Sequence, residues 1–407
     1  MKLLIHTQYF PPEVGAPQNR LFELAVRLPK QGVEVTILTA MPNYPSMEIH
    51  TEYVGKKYDY EEIESLKIHR SSIYVTKSKS IVKRLLNYFS FVWSSYWVGT
   101  KHLDQHYDFV LCESPPLFLG ISSYFLAKKK KAKFIFNVSD LWPESAEKLG
   151  LVRNKVFLKM ATILEEWLYK KSNLVTGQTQ GIVENIKGRF PSKKVYWLPN
   201  GVDVSYYDPA KIQSQWREEN GFSKEDKLFL YAGIIGHAQG LEIILKAAES
   251  FKEQKQLKFI LLGSGPCKED LMALAKTLDL QNVYFYDAIT KDKMSAVVSA
   301  VDVAIIPLKK LDLFKGAIPS KAFENLAMKV PILLGVDGEA RELFINQGNA
   351  GLYFEPENPE HLTKQIKKLI ENPGLMIELG NNGAKYVAEK FNRNVIAQEL
   401  HNQLKKI

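Results

Sequence analysis

The sequence predicts an α/β protein built of two doubly wound domains, and three observations support this fold class. Short apolar runs alternate with longer amphipathic stretches along all 407 residues, which is typical of parallel sheets with crossover helices. The runs number eleven, more than one sheet usually holds. A polar stretch without a strand signal, 203–227, separates six of them from the other five. We therefore expect two sheets that face each other across a cleft.

Each apolar run has the length and the ending expected of a strand buried on both faces, with four to six apolar residues before a Gly, Ser, Thr or Asn. The runs begin at Leu3, Val35, Phe109, Lys133, Leu174, Val195, Leu228, Lys258, Val283, Val303 and Pro331. The segments between them predict helices; 19–31, for example, has its leucines on one face and Gly32 after its end. The domains expected are 1–203 and 204–390, followed by a helical segment, 391–407.

Positive charge is concentrated in the first half of the chain. The sequence has 54 Lys and Arg against 45 Asp and Glu, a net charge of +9. Residues 1–200 hold 28 basic and 18 acidic side chains, a net of +10, whereas residues 201–407 hold 26 and 27, a net of −1. The two halves are therefore expected to meet different partners.

Cysteine content and hydropathy narrow the class of protein. Cys112 and Cys267 are far apart and lie in or just after apolar runs, which excludes a disulfide framework and a cysteine zinc site and favours buried thiols in a reducing compartment. The chain begins with a strand pattern instead of a secretion signal, and no uncharged apolar stretch reaches the ~18–20 residues of a spanning helix. We expect a cytoplasmic protein, attached peripherally to the inner face of the cytoplasmic membrane.

Glycine-containing turns follow three of the predicted strands. The patterns GxGxxG, GxxxxGK[ST], HExxH and GxSxG do not occur, which argues against the usual dinucleotide, P-loop, zinc-protease and serine-hydrolase sites. Instead, Gly15 lies in a turn after the first strand, Gly233 and Gly236 after the first strand of the second half, and Gly263 after the next. One such turn alone indicates no more than a tight connection. Equivalent turns after the first strand of both halves favour an anion at a helix N-terminus.

The most informative segment is 314–335, FKGAIPSKAFENLAMKVPILLG. Ser320 is a candidate N-cap, with Pro319 fixing the entry to the helix. A phosphate at this terminus would be held by backbone N–H groups and by Lys321. Glu324, one turn further along, would accept hydrogen bonds from a diol. The alternative is that Glu324 only complements the helix dipole and Lys321 is a solvated surface charge.

The order of these segments resembles one known family. FPPEVGA, QGVEVTILTAMP, LPNGVDVSYYDP, YAGIIGHAQGLE, LLGSGP, PSKAFENLAMKVPIL and NAGLYFEPENPEHL follow one another as in the retaining glycosyltransferases of family 4, which have the GT-B fold. The resemblance covers nearly the whole chain. SDLWPES, 139–145, together with PSKAFEN is similar to the WbuB-type subgroup. The resemblance to that subgroup implies transfer of an N-acetylated deoxy-amino sugar, such as N-acetyl-L-fucosamine, from UDP in the assembly of surface polysaccharides such as capsule and O-antigen.

The resemblance implies roles for the matching residues. Glu324, as the second glutamate of the family's E-x7-E motif, would bind the ribose, and Lys321 would act on the diphosphate. The donor-binding residues expected are Gly15, Gly233, Gly236, Gly263, Pro319, Ser320, Lys321 and Glu324. Asp140 lies where many members have a histidine or an acid near the reacting sugar; its alternative role is to cap the helix 142–149. The segment 391–407 would cross back to the N-terminal, acceptor-binding domain, and 204–390 would bind the nucleotide sugar.

Two departures from the family pattern fall in the donor site. The first glutamate of E-x7-E would stand at position 316, which is Gly316, and the basic pair of many members is replaced by His237 and Gln239. Phosphate neutralisation would then rest on Lys321 and on helix termini. In this fold, retention is usually assigned to front-side attack, with the leaving diphosphate taking the acceptor proton. Since the chain has no DxD triplet, we expect turnover without a metal or other cofactor.

Residues 81–103 have the pattern of a helix at a lipid surface. Apolar side chains, Trp93 and Trp97 among them, recur every three or four residues, while Lys83 and Arg84 stand largely opposite. The alternative is a core helix of the N-terminal domain. The basic first half agrees with an anionic membrane surface. Because the N-terminal domain binds the acceptor in this family, the resemblance implies a lipid-diphosphate-linked saccharide of undecaprenyl type.

Three other functions remain open from the sequence. A soluble nucleotide-sugar transferase or an epimerase of the same fold would need no amphipathic segment. A nucleic-acid-binding protein would explain the basic half, but no recognised motif accompanies the charge, and the lysine run 128–131 is equally typical of a solvated helix end; nucleic acid is therefore not expected as a partner. A catalytically lapsed scaffold would explain Gly316.

Overall fold

The computed structural model describes residues 1–13, 15–78, 80–148, 150, 152 and 154–407, which form two compact units. The first unit contains Met1–Asn200 and Arg393–Ile407, and the second contains Gly201–Asn392. Each unit is built around a mainly parallel sheet with crossover helices. The predicted α/β class with two doubly wound units is confirmed.

The first unit has an eight-stranded sheet. Its strands are β1 (Lys2–His6), β2 (Glu34–Ala40), β3 (Tyr58–Ile63), β4 (Leu66–Ser71), β5 (Phe109–Ser114), β6 (Lys133–Val138), β7 (Leu174–Gly177) and β8 (Val195–Trp197). The order is β3-β4-β2-β1-β5-β6-β7-β8, and only the β3–β4 pair is antiparallel. β1 pairs with β2 on one side and with β5 on the other, so the strand order reverses there.

The helices of the first unit are α1 (Ala16–Ala25), α2 (Ile81–His102), α3 (Leu119–Lys129), α4 (Glu144–Lys148), α5 (Lys155–Lys171) and α6 (Gln180–Arg189), with 3-10 turns at Leu28–Gln31 and Thr51–Tyr53. α2, α3 and α5 contribute to one apolar core, in which Phe91, Leu126 and Leu168 are fully buried. All three are crossover helices, so they run antiparallel to the strands and side by side. Their C-termini therefore lie at the amino edge of the sheet.

The second unit has a six-stranded, wholly parallel sheet in the order β11-β10-β9-β12-β13-β14. Its strands are β9 (Lys227–Ala232), β10 (Leu257–Leu262), β11 (Val283–Tyr286), β12 (Val303–Pro307), β13 (Ile332–Gly335) and β14 (Gly351–Tyr353). Its helices are α7 (Trp216–Glu219), α8 (Glu242–Glu249), α9 (Lys268–Thr277), α10 (Lys291–Ser299), α11 (Ser320–Ala327), α12 (Glu339–Arg341), α13 (Pro359–Ile370) and α14 (Pro373–Lys390). Shorter turns of helix are 3-10 at His237–Gln239 and Asp312–Gly316 and π at Glu342–Gln347.

The last helix, α15 (Arg393–Leu404), returns to the first unit. It packs beside α1 on the sheet face opposite α2, where Ile396, Ala397 and Leu400 join a second apolar core. Arg27 Nε of the segment after α1 donates to Asn394 Oδ1 at 3.0 Å. The first unit is thus completed by residues from both ends of the chain.

Three strands, β3, β4 and β14, do not appear among the apolar runs of the sequence. β3 is an edge strand whose side chains are half-buried or exposed, and β14 is an edge strand of three residues. β4 is interrupted by Arg70, which is nevertheless fully buried. Its guanidinium is satisfied by Glu61 Oε1 at 2.5 Å and by the carbonyl oxygen of Ala40 at 3.3 Å, partners that the local sequence cannot reveal.

Candidate functional site

The loops that form the candidate site of the second unit lie at the carboxyl ends of β9, β10 and β12. The strand order reverses at β9, which lies between β10 and β12, and ligands of such sheets bind in the crevice beyond the reversal. Gly233 follows β9, Gly263 follows β10, and Lys321 lies in the first turn of α11, which comes after β12. The fold therefore brings together three segments that the sequence analysis selects.

The loops after β9 and β10 are joined by backbone hydrogen bonds. The amide of Gly233 donates to the Leu262 carbonyl at 2.9 Å, and the amide of Ile235 donates to the Ser264 carbonyl at 2.9 Å. Gly263 has φ +155°, and a Cβ at this position would overlap the carbonyl oxygen of Gly233. Only glycine allows the two loops to approach so closely.

Lys321 supplies a cation at this reversal point. A Cβ at Gly233, which has φ +140°, would lie 2.8 Å from Lys321 Nζ, so the ammonium group rests directly against the glycine turn. The same nitrogen lies 3.9 Å from the ring centroid of Tyr231. Burial lowers the pKa of Lys321 to about 8, and the carboxylate of Glu324 opposes this shift. A half-buried cation at a helix N-terminus is suited to binding a phosphate oxygen.

Helix α11 begins one residue earlier than the prediction that made Ser320 its N-cap. Pro319, with φ −62° and ψ 120°, is the N-cap, and Ser320 is the first helical residue. The prediction is wrong because the extended ψ of Pro319 makes that residue the last one outside the helix. Glu324 lies one turn into α11, and the next side chain, Asn325, donates from Nδ2 to the carbonyl oxygen of Lys321 at 2.7 Å. This bond reinforces the first turn of the helix.

Two further glycines of the donor segments have contrasting surroundings. Gly236 precedes the His237–Gln239 turn, and a Cβ there would lie 3.0 Å from Gln239 Oε1. The glutamine that departs from the family pattern therefore packs against the turn. Gly316 ends the Asp312–Gly316 turn, and among the described residues a Cβ there would meet no heavy atom within 4 Å. The position of the absent first glutamate is therefore open space.

In the first unit, Gly15 and Asp140 follow β1 and β6, at the carboxyl edge of the sheet. Gly15 is the N-cap of α1 in extended backbone, and the Gln18 amide oxygen occupies the space of its missing Cβ. That oxygen is buried and has no hydrogen-bond partner in the described part of the chain. Asp140 is exposed, and its Oδ2 accepts a hydrogen bond from Ser145 Oγ at 2.7 Å. The first turn of α4 thus holds the Asp140 carboxylate.

A buried polar network beside Asp140 has no signature in the local sequence. The Arg20 guanidinium donates to Glu113 Oε1 at 2.7 Å and to Ser139 Oγ at 2.8 Å, and Asn137 Nδ2 donates to Glu113 Oε2 at 2.5 Å. Arg20 and Glu113 are only 7% and 3% exposed. The network ties α1 to the ends of β5 and β6 and fixes the backbone that carries Asp140. Its members lie up to 119 residues apart, so no local pattern marks them.

Helix α2 has one buried and one exposed face. Phe91 is fully buried, whereas Trp93 and Trp97 are 68% and 55% exposed. Lys83 and Arg84 are exposed near the start of the helix. The helix is therefore a core element on one side and presents an apolar face on the other. Among the residues that the structure describes, no helix is both long enough and apolar enough to cross a membrane.

Two curated relatives and one solved structure span nearly the whole chain. The putative colanic acid biosynthesis glycosyl transferase WcaI of Escherichia coli (strain K12) is 25% identical over 412 residues, 98% of this chain and 99% of the relative. The N-acetylgalactosamine-N,N'-diacetylbacillosaminyl-diphospho-undecaprenol 4-alpha-N-acetylgalactosaminyltransferase of Campylobacter jejuni is 22% identical over 377 residues, 90% of this chain and 94% of the relative. Anabaena HepE in complex with UDP and glucose superposes with a TM-score of 0.71 at 15% identity, covering 100% of both chains.

Family comparison matches each unit in turn. Residues 18–206 match the family described as Glycosyltransferase Family 4, and residues 212–386 match Glycosyl transferases group 1. Two doubly wound units of these kinds in one chain define a protein of the GT-B fold. The chain belongs to the GT-B glycosyltransferases of group 1 and family 4. The resemblance inferred from the sequence is confirmed at the level of this family.

Proposed function

We propose that the protein is a retaining glycosyltransferase that moves a sugar from a UDP-sugar to a lipid-diphosphate-linked saccharide in bacterial surface-polysaccharide assembly. The observation that carries the proposal is the Lys321 ammonium group, held against the Gly233 turn at the strand-order reversal. The name of WcaI assigns that relative to colanic acid biosynthesis, and the name of the Campylobacter relative specifies a diphospho-undecaprenol substrate. HepE has been solved with UDP. The SDLWPES and PSKAFEN segments support an N-acetylated deoxy-amino sugar as the group transferred, on their resemblance to the WbuB-type subgroup.

In this proposal the donor diphosphate lies at the N-terminus of α11. The Lys321 ammonium group and the helix dipole stabilise the negative charge that develops on the leaving UDP. Glu324 accepts hydrogen bonds from the ribose hydroxyls, as acidic residues do in other nucleotide sites. The other donor contacts proposed are with Pro319, Ser320, Gly233, Gly236 and Gly263. Because Lys321 provides positive charge at the diphosphate, we propose turnover without a metal ion.

The proposed transfer retains the configuration at the sugar carbon C1. A bond forms between the acceptor oxygen and C1 on the face from which the diphosphate leaves, the bond from C1 to the diphosphate oxygen breaks, and the acceptor hydroxyl proton passes to the departing diphosphate. The protein holds the reactants in place and stabilises charge. Asp140, positioned by Ser145 and by the Arg20–Glu113 pair, orients the acceptor, and Gly15 approaches the diphosphate.

The first unit, in the same proposal, binds the acceptor and the membrane that carries it. Trp93 and Trp97 offer an exposed aromatic surface, with the cations Lys83 and Arg84 about two and a half to four turns away along α2. Tryptophan beside Lys and Arg is the composition of helices that lie in the interface of anionic membranes. Peripheral attachment would bring the protein to a lipid-linked acceptor at the cytoplasmic membrane surface.

Thermal unfolding with UDP, GDP, ADP and CMP, each with and without EDTA, tests the donor site. A ligand present at ~100 times its dissociation constant adds ~2.7 kcal/mol to the stability of the folded protein. We expect a UDP-selective shift of the unfolding temperature that EDTA does not change. Glu324→Ala should lose the shift, whereas Glu378→Ala, which removes an exposed carboxylate from α14, should keep it.

Transfer assays with UDP-sugars and undecaprenyl-diphosphate saccharides then test the reaction. Activity that disappeared in EDTA and returned with Mg²⁺ would contradict the metal-independent proposal. If no nucleotide shifted the unfolding temperature, the transferase proposal would fail, and a lapsed scaffold with Gly316 in place of the motif glutamate would be favoured.

Co-sedimentation with vesicles of phosphatidylglycerol and phosphatidylcholine tests the membrane proposal. Wild type should bind at low salt, and Trp93→Ser/Trp97→Ser should bind less because two interfacial side chains are lost. Ile377→Ser, which removes a 68% exposed apolar side chain from the second unit, is the matched control and should bind like wild type. Wild-type protein that stayed in the supernatant would refute membrane attachment.

A further inference from the structure

A pocket lined by five lysines lies at the amino edge of the sheet of the first unit. It encloses about 780 Å³ of space open to solvent, and its lining residues include Tyr124, Lys128, Lys131, Lys133, Lys170 and Lys171. Lys128 is in the last turn of α3, Lys170 and Lys171 are in the last turn of α5, and Lys133 begins β6. Asp140 follows the other end of β6, so six residues of strand, ~20 Å at ~3.3 Å per residue, separate the pocket from it.

The lysines of this pocket, called here the lysine pocket, are mostly not neutralised. Lys170 Nζ lies 3.6 Å from Glu166 Oε2. Over the described ranges, the other four lysines make no ion pair with a carboxylate. A lysine in the last turn of a helix interacts favourably with the helix dipole and stabilises the helix by ~0.3–1 kcal/mol. This accounts for the positions of Lys128 and Lys170. It does not explain the convergence of Lys131 and Lys133, which are outside the helices, on the same space.

Exposed apolar side chains lie on α3 and α5, the two helices that carry lysines of the pocket. On α5, Met160 and Ile163 are 65% and 58% exposed, and Phe125 on α3 is 50% exposed. Along α5 the exposed apolar residues are followed by Trp167 and then by Lys170, seven residues or ~10 Å beyond Ile163. Interfacial helices bury their apolar faces ~5–10 Å into the boundary between headgroups and acyl chains. The ~10 Å from lysine to apolar side chain is therefore comparable to this depth.

An aromatic pair separates the two parts of this surface. Trp167 and Tyr124 pack edge to face with ring centroids 4.8 Å apart, and the Lys128 ammonium group lies 5.8 Å from the centroid of Tyr124. Trp and Tyr are the side chains that favour the level of the headgroups, between hydrocarbon and water. Apolar, aromatic and basic groups thus succeed one another in the order found across a monolayer surface.

We propose that the lysine pocket binds the phosphate headgroup of an anionic lipid while Phe125, Met160 and Ile163 contact its acyl chains. The inference deepens the proposed function, on which it rests for the membrane as partner, because it assigns a second contact region beyond α2. The occupant is a lipid because a soluble phosphate compound would leave the exposed apolar side chains of α3 and α5 in water, whereas acyl chains would cover them.

Vesicle binding tests the proposal. The pocket variant is Lys128→Gln/Lys171→Gln, and the control variant is Lys364→Gln/Lys367→Gln on α13. Both double variants remove two exposed positive charges, but only the first removes them from the pocket. Each lysine near an anionic membrane contributes ~1 kcal/mol, so the pocket variant should lose about tenfold to thirtyfold in affinity for phosphatidylglycerol vesicles. The control should change by less than about threefold, since its lysines do not line the pocket and alter only the net charge of the protein.

A second variant separates the lipid from a soluble phosphate ligand. Met160→Ser/Ile163→Ser should also weaken vesicle binding, and 10 mM glycerol 3-phosphate should neither shift the unfolding temperature of wild type nor displace it from vesicles. Pocket and control variants that bind alike would overturn the lysine pocket while leaving attachment through α2 intact. Displacement by glycerol 3-phosphate would overturn the lipid as occupant. Wild type that bound no vesicles would overturn both, whereas the UDP-dependent shift would still report on the donor site independently.

Discussion

Replacing Lys321 by methionine should stabilise the protein while it destroys donor binding. The pKa of Lys321 falls from its ordinary 10.5 to about 8 in the folded protein because the side chain is buried. At 1.36 kcal/mol per pKa unit, keeping this lysine charged at pH 7 costs about 3 kcal/mol. The contact of the ammonium group with the Tyr231 ring, at 3.9 Å, returns ~1–2 kcal/mol. Lys321→Met should therefore gain about 1–2 kcal/mol, or ~3–6 °C in Tm for a unit of this size.

The stability difference between Lys321→Met and wild type should depend on pH in a definite direction. Between pH 8 and 10.5 the unfolded chain holds the Lys321 proton and the folded chain has released it. Wild-type stability therefore receives a rising contribution with pH in this window, and the variant receives none. The advantage of Lys321→Met should be greatest below pH 8 and should shrink as the pH approaches 10.5. UDP affinity of wild type should fall as the pH rises above 8, by up to about tenfold per unit, because the free protein loses the charge that the diphosphate needs.

Differential scanning fluorimetry from pH 6.5 to 10, with and without UDP, measures both effects. Lys276→Met, which replaces an exposed lysine of α9, is the control and should change stability by less than ~0.5 kcal/mol at every pH. A Lys321→Met protein that is no more stable than wild type at pH 7, or whose advantage does not decrease with pH, would refute the reasoning. A variant that still responded to UDP would show that Lys321 does not bind the diphosphate.

Three further predictions concern the loops, the open motif position and the buried network. Gly263→Ala should cost more than ~3 kcal/mol in urea unfolding, because its Cβ overlaps a backbone carbonyl at φ +155°; Gly188→Ala, with open space at its Cβ within α6, should be neutral or stabilising. Gly316→Glu should leave the free energy of urea unfolding unchanged within ~0.5 kcal/mol, since its Cβ enters open space. It should also alter the relative rates with different UDP-sugars, and a folding defect would contradict this prediction. Arg20→Ala should cost ~3–5 kcal/mol by leaving the Glu113 carboxylate buried without its 2.7 Å partner, and a loss below 1 kcal/mol would show that the pair is not buried in solution.

The sequence predicts the strands that are buried on both faces of a sheet, because such strands consist of a continuous run of apolar residues. Parallel strands at the centre of a sheet are covered by helices on each side, so their composition alone reveals them. The edge strands β3 and β14 could not be predicted in this way because each has a neighbouring strand on one side only. β4 could not be predicted because its buried charge, Arg70, depends on Glu61 in the neighbouring strand. A local pattern cannot report a partner that the sheet supplies.

The candidate site could also be predicted from the sequence only where a local pattern marks it. The segment with Lys321 and Glu324 marks a helix N-terminus by its own composition, so its selection needed no tertiary information. The contact of Lys321 with Tyr231 joins residues 90 positions apart, and the Arg20–Glu113 pair joins residues 93 positions apart. Such contacts depend on which strands become neighbours, and strand order is a property of the whole fold. The pKa of Lys321 cannot be predicted from a local pattern either, because it is lowered by burial in the folded protein.

The return of α15 to the first unit has a consequence for synthesis on the ribosome. Residues 1–200 emerge without the helix that carries Ile396 and Leu400, two side chains of their own core. At ~5–20 residues per second, the ribosome needs roughly 10–40 s to make the intervening second unit. The second unit, continuous in the chain, can complete its core during that interval, while the first waits with the surface of α1 uncovered. Residues translated only after the whole second unit are thus the ones that close the first unit, and a nascent chain that stalls before Arg393 exposes an apolar groove to chaperones.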